Sequence, residues 1–222
     1  MQSGDASHQL SRQTPSSSRD RLLDSAKRLF AAQGYEQTAT SAIARDAGTS
    51  ESQLMRYFGG KVGLLETLFD EAWNHINVRV EKALETTAAA GNRESLLVAI
   101  QTVVTALARD SNLASLLVFE GRRMRGSAPR VRLSRGFVAF SETIHRLIRN
   151  AQTTGEIDPR FDPLAVTSAL LGAAESLIRD RLVAKRGGRP SFAEREIRGT
   201  LEGMLAGLRD KPPAARGSLN KR

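Results

Sequence analysis

The stretch TATSAIARDAGTSESQLMRYFGGK, Thr38 to Lys61, decides how this chain folds. Its threonines suit the start of one short helix and Gly48 suits its end, because glycine enters the left-handed backbone region without a Cβ penalty. Ser50-Glu-Ser-Gln53 then matches the S-x-x-Q capping box, in which the serine oxygen accepts the N–H three residues on. A second short helix is expected from Ser50 to Tyr57 or Phe58, stopped by Gly59-Gly60. The result is helix, glycine turn, helix, with Ile43, Ala47, Leu54 and Phe58 as its apolar positions.

On the N-terminal side, Leu22, Leu23, Ala26, Leu29 and Phe30 recur at three- and four-residue steps, the period of one helical face, and Gly34 ends the run. These three helices close into a head, residues 19–61. Residues 1–18 are rich in Ser, Gln and Thr and bury too little to offset ordering entropy, so they read as a disordered arm. On the C-terminal side, Leu64, Leu65, Leu68, Phe69, Trp73 and Ile76 carry one long helix toward Thr87. Some 25 residues span about 37 Å at 1.5 Å per residue, enough to leave the head and join a second helical body. Further helical stretches are expected at 93–110, 112–125, 129–154, 162–185 and 192–208, and no segment reads as a strand. The body is residues 62–208, and a basic disordered tail, 209–222, follows Lys211-Pro-Pro.

Composition narrows the chemistry. The chain has 222 residues with 33 Lys+Arg against 24 Asp+Glu, a formal charge of +9 that makes a polyanion the first partner to consider. There is no cysteine, which excludes disulfides, thiolate catalysis and cysteine-held metals. The three histidines, His8, His75 and His145, lie too far apart for a metal motif. No nucleophile motif or Gly-rich phosphate loop supports an enzyme, and no catalytic residue, metal or cofactor is expected. With neither a secretory leader nor an apolar run of about 18 residues, the expected location is the cytoplasm, with no membrane partner.

With Phe30, Gly34-Tyr35, Ile43-Ala44, Ala47-Gly48, Ser50, Leu54, Tyr57-Phe58, Lys61 and Leu64-Leu65 in order, the head resembles that of TetR-type (TetR/AcrR family) transcriptional regulators. The resemblance covers roughly the first third of the chain. It implies an all-α protein: an N-terminal three-helix helix-turn-helix DNA-binding head, joined by a long helix to a larger helical effector-binding and dimerisation domain. It also implies a homodimer on a palindromic double-stranded operator, most simply a repressor, released by a small-molecule effector. By position, Glu51, Ser52, Gln53 and Arg56 face the bases, where glutamine can pair with adenine and arginine with guanine. Ser50 opens the recognition helix, and Thr40, Ser41, Tyr57 and Lys61 resemble the phosphate-side contacts. Met55 stands where the family often has a tyrosine and offers an apolar contact to a thymine methyl. Glu51 either accepts from a cytosine amine or serves the N-terminus of its own helix.

In the body, the resemblance implies an effector pocket enclosed by the apolar-striped helices, drawn from Ile100, Val104, Leu117, Phe137, Phe140 and Ile144, with Glu120, Ser141, His145 and Glu175 as its polar candidates. The same stripes serve equally as plain core. The last two helices suggest the dimer interface: Leu171, Ala174 and Ile178, then Gly199, Gly203, Met204 and Gly207. A glycine at every fourth residue costs about 1 kcal/mol each against alanine, a cost that close helix approach across a two-fold axis would offset. Residues 1–61 hold only two more basic than acidic side chains, whereas 122–149 hold eight arginines and one acid, Glu142. That stretch reads as an anion-binding mouth or as a solvated face. The competing reading of the whole chain is a helical protein-binding adaptor without sequence-specific DNA binding.

Overall fold

The computed structural model describes residues 17–119 and 134–209. Among them the secondary structure is helical throughout: nine α-helices and one short 3-10 turn, with no strand. The all-α class expected from the sequence is the one observed. The chain forms two compact units that part between Leu65 and Glu66.

The first unit holds α1 (Ser18–Gln33), α2 (Thr40–Asp46), α3 (Glu51–Phe58) and the first turn of α4 (Lys61–Thr87). Leu22, Ala26, Phe30, Ile43, Leu54 and Leu64 are buried at its centre. Burying a leucine, isoleucine or phenylalanine side chain stabilises by about 1.5–3 kcal/mol. Ser17 caps α1: its hydroxyl accepts from Asp20 N at 3.1 Å while the Asp20 carboxylate accepts from Ser17 N at 3.2 Å. Ser17 and Ser18, read above as part of the arm, are therefore ordered as cap and first turn.

Two local expectations change. No threonine caps α2: its N-cap is Ala39, and Thr38 is instead buried, its hydroxyl donating to Gly34 O at 2.7 Å. Only half of the Ser50 box forms. Ser50 Oγ accepts from Gln53 N at 3.3 Å, but the Gln53 side chain accepts from Thr49 Oγ1 at 2.8 Å rather than reaching back.

The second unit holds the rest of α4, the turn Ala88–Ala90, α5 (Asn92–Arg109), α6 (Ser111–Phe119), α7 (Arg135–Thr153), α8 (Pro163–Arg186) and α9 (Glu194–Gly207). Helix α7 begins six residues later than the expected 129, because Ser134 is its cap, accepting from Phe137 N at 3.2 Å. The part of the expected 112–125 helix beyond Phe119 lies outside the described residues. Leu96, Ile100, Ile144, Ile148, Ile157 and Leu170 are among the most deeply buried large side chains.

Glu156, from the loop after α7, ties that loop to α5. Its carboxylate accepts from Asn92 N (3.1 Å), Arg93 N (3.0 Å), Asn92 Nδ2 (2.9 Å) and Thr154 Oγ1 (2.8 Å), supplying the orphan donors at the α5 N-terminus. Burial alone would raise the pKa of this carboxyl, but the Arg93, Asn92 and Thr154 hydrogen bonds outweigh it and bring the value down to about 2. A depressed carboxylate contributes stability that is whole above about pH 4.5 and is lost as pH falls toward 2. Glu156→Gln is expected to cost about 1–3 kcal/mol at neutral pH and to flatten the fall in stability between pH 5 and 2. Urea titrations of both proteins across that range check it.

Candidate functional site

Helix α3 is short and lies with one side against the head. Leu54 and Phe58 are buried, whereas Glu51, Ser52, Met55, Arg56 and Tyr57 are exposed, Met55 at 55% and Tyr57 at 40%. The eight-residue helix therefore presents a polar face with one methionine, anchored from behind by two apolar side chains. Gln53 is half-buried because Thr49 holds its side chain. Arg56 stacks over the Tyr57 ring at 5.1 Å and its Nη2 donates to the Tyr57 hydroxyl at 3.3 Å. Nothing deeper in the head depends on that guanidinium.

Around α3, Thr40 at the start of α2 donates its hydroxyl to Glu51 Oε2 at 2.9 Å, joining the beginnings of the two helices. Glu51 is thus engaged within the head. Ser41 is exposed, and Ser50 and Ser52 share a hydrogen bond at 2.8 Å. Lys61 begins α4, where its Nζ lies 4.4 Å from the centre of the Tyr35 ring and donates to Glu36 O at 3.2 Å. All ten residues singled out for DNA contact therefore fall on α2, α3, the cap of α3 or the start of α4, within one unit.

The bracing of α3 was not legible in the pattern of apolar residues. Arg28 Nη2 donates to Asp46 at 2.7 Å, and a hydrogen bond from Ser25 together with that guanidinium holds the Asp46 carboxyl below its ordinary value. Arg21 Nε donates to Ala47 O at 2.9 Å. Both fix α1 to the end of α2. At Gly63, in the first turn of α4, a Cβ would lie 1.9 Å from Phe58 O, so this glycine is what lets α4 start against the end of α3. The signal available was a lone glycine early in a helical run.

The second unit holds a cavity of about 740 Å3, solvent at its mouth included. Phe69 and Trp73 of α4, Ile100, Val103, Val104 and Leu107 of α5, Leu117 and Val118 of α6, Phe137 and Phe140 of α7, and Leu171, Ala174 and Ile178 of α8 form its apolar wall. Ser134 and Glu175 are the polar residues among those described. Of the sequence-derived pocket set, Ile100, Val104, Leu117, Phe137, Phe140 and Glu175 line it. Ile144 is core, fully buried elsewhere, and Ser141 and His145 are not in the wall; His145 Nδ1 instead meets Thr167 Oγ1 at 3.3 Å. Glu120 and five of the eight clustered arginines (122, 123, 125, 130 and 132) lie outside the described residues.

Trp73 was read as part of a connector and proves to be a wall residue. Its ring stacks on Phe140 (5.4 Å) and meets Phe137 edge-on (5.3 Å). The α4–α7 crossing beside it is close: a Cβ on Gly136 would lie 2.3 Å from Trp73 Cβ, and Asn77 Nδ2 donates to Gly136 O at 2.9 Å.

The seven residues read as a dimer interface divide. Leu171, Ala174 and Ile178 turn inward to the cavity. Gly199, Gly203, Met204 and Gly207 are exposed on α9, with nothing within 4 Å of a Cβ built on any of the three glycines. The exposed residues of α8 are a different set, Leu164, Ala165, Ser168, Ala169 and Gly172 in its first half and Val183 near its end among them. Small residues at helical spacing were the signal for it.

The geometry of the first unit is that of a helix-turn-helix head with an exposed second helix, and that of the second unit is a helical body with an apolar cavity. Residues 22–68 match the family model for bacterial regulatory proteins of the tetR family, so the head of this chain is a TetR-type DNA-binding domain and the resemblance read from the sequence is shown. Among relatives, the chain is 25% identical over 157 residues to the fatty acid metabolism regulator protein of Bacillus subtilis (strain 168), covering 71% of this chain and 79% of that one. It is 23% identical over 167 residues to the HTH-type transcriptional regulator SrpR of Pseudomonas putida, covering 75% and 76%. The solved structure of the transcriptional regulator FadR from Bacillus subtilis in complex with stearoyl-CoA has the same fold, with a TM-score of 0.74 at 21% identity over 84% of this chain and 96% of that one.

Proposed function

We propose that this chain is a ligand-responsive transcriptional repressor that binds a palindromic operator as a homodimer in the cytoplasm and leaves it when a small molecule fills the cavity. Residues 19–61 read the DNA, and 62–208 bind the effector and the second chain. The observation that carries the reading is α3: a capped helix whose outward face is Glu51, Ser52, Met55, Arg56 and Tyr57, set in a TetR-type head. A helix of this size fits the major groove, with its first turns at base edges and its flanks on phosphates.

The effector is a molecule with a sizeable apolar body, because nearly the whole cavity wall is hydrocarbon and each CH2 it buries is worth about 0.8 kcal/mol. The stearoyl-CoA bound by the Bacillus subtilis relative makes long acyl chains the first class to try. Phe69 and Trp73 place α4 in the wall, and α4 begins at Lys61 in the head, so a ligand that favours one setting of α4 biases both units.

Exposure of Gly199, Gly203 and Gly207, together with the exposed small residues in the first half of α8, supports a two-fold interface of α8 and α9. Gly203→Leu is expected to convert the dimer to single chains, because four side-chain carbons enter a surface built for close helix approach. Sedimentation velocity decides it; an unchanged dimer mass would place the interface elsewhere.

Footprinting on genomic fragments retained by the protein tests the whole reading. It predicts two protected half-sites per fragment, lost on adding a long-chain acyl thioester. Retention without a discrete footprint would favour an adaptor that meets DNA only through its charge.

A further inference from the structure

A second, open cleft, of about 610 Å3 with the solvent at its mouth included, is lined from α4, α5 and α9. It is lined by Arg79, Arg109 and Arg198 with Gln101, Thr102 and Thr105 and the apolar Val98 and Ala106, and no carboxylate lines it among the described residues. The cleft uses the side of α5 opposite the apolar cavity, so it is a separate place in the body.

Its three guanidinium groups differ in their commitments. Arg198 is fixed: Glu94 accepts from its Nη2 through both oxygens at 2.9 Å, and Glu202 accepts from its Nε at 2.7 Å. Those two carboxylates offset its charge and hold it as a wall. Arg79 and Arg109 are exposed and make no ion pair or hydrogen bond among the described residues. Glu194 is engaged by Arg181 at 3.5 Å and Thr105 at 3.4 Å, and Asp110, next to Arg109 in the chain, accepts from Leu113 N at 3.0 Å. Gln101 spends one amide hydrogen on Thr105 and keeps the other, and the Thr102 hydroxyl donates to Val98 O, a bond that one rotation exchanges for an anion.

We propose that this cleft binds a small phosphorylated anion through Arg79 and Arg109. Two uncommitted arginines, one on α4 and one on α5, and the neutral polar side chains of the same cleft suit a ligand with two or more negative charges. Phosphate oxygens match the fork of donors that each guanidinium presents. Such a site would let a charged metabolite act on the body independently of the apolar effector.

Isothermal titration of the full chain with inorganic pyrophosphate at 150 mM salt tests it. The expected result is saturable binding of one pyrophosphate per chain, weakened at least ten-fold in an Arg79→Gln/Arg109→Gln variant with an unchanged melting curve. A second variant, Arg146→Gln/Arg149→Gln, removes two exposed arginines from α7 and is expected to bind as the parent does. No saturable binding, equal affinity in the Arg79/Arg109 variant, or equal weakening in both variants overturns the proposal. So does a parent that ignores pyrophosphate while the Arg79/Arg109 variant loses DNA affinity, which would make the cleft a DNA-phosphate surface. Because the readout is pyrophosphate and not operator release, its failure is distinguishable from failure of the repressor reading.

Discussion

Gly63→Ala is expected to unseat the DNA-binding head, with a loss of about 3 kcal/mol or more and of operator binding with it. A methyl group on this residue would lie 1.9 Å from Phe58 O. The obstacle is backbone at the end of α3, so no side-chain rotation relieves it. Either α4 backs away from α3 or Phe58 gives up its place, and Phe58 is one of the two side chains that anchor α3. Val62→Ala, one residue earlier and half exposed, is expected to change stability by less than about 0.5 kcal/mol. The two variants therefore separate a packing requirement from a general sensitivity of the α4 start. Thermal unfolding followed by circular dichroism, with operator titration at 20 °C, measures both.

Arg56→Ala is expected to do the opposite: to spare the fold and damage recognition. The guanidinium is exposed and its partner within the head is the neighbouring Tyr57, so the melting temperature should stay within a degree or two. Loss of a bidentate arginine–guanine pair costs about 1–3 kcal/mol per half-site. A dimer loses two such pairs, about 2–6 kcal/mol together, so operator affinity should fall at least about thirty-fold while affinity for unrelated duplex falls little. Uniform weakening on all sequences, with a shallower dependence on salt, would instead make Arg56 a phosphate contact. Unchanged affinity and specificity would remove it from the interface.

The head was legible because its signals are local. Gly34, Gly48 and Gly59 all adopt positive φ where the sequence marks helix ends, and Ser50 caps the helix it precedes. Each of those follows from a few adjacent residues. Thr38 failed as a cap because its hydroxyl had a better partner across a turn, Gly34 O, which no helical period reveals.

In the body, periodicity separates apolar from polar faces but does not tell a cavity wall from a core. Ile100 and Ile144 look alike in sequence, yet the first lines the cavity and the second is packed away from it. Helix α8 has an apolar stripe facing inward, while its exposed first half combines Leu164 with the small residues Ala165, Ser168, Ala169 and Gly172. The reading assigned Leu171, Ala174 and Ile178 to a partner chain because large apolar residues weigh more in a pattern than Ala165, Ala169 and Gly172 do. Trp73 was placed in a connector for a related reason. One helix serves two units, and the sequence does not mark where its role changes.

The account stands on a dimer whose two α3 helices read one inverted repeat. Selection of bound DNA from a randomised duplex pool at physiological salt, followed by sequencing, tests that most directly, because high salt suppresses binding that rests on charge alone. The account predicts an enriched inverted repeat with half-sites about one helical turn apart, lost when Arg56→Ala is used in place of the parent. A folded, dimeric sample that enriches no sequence, or only an unpaired half-site, would contradict it.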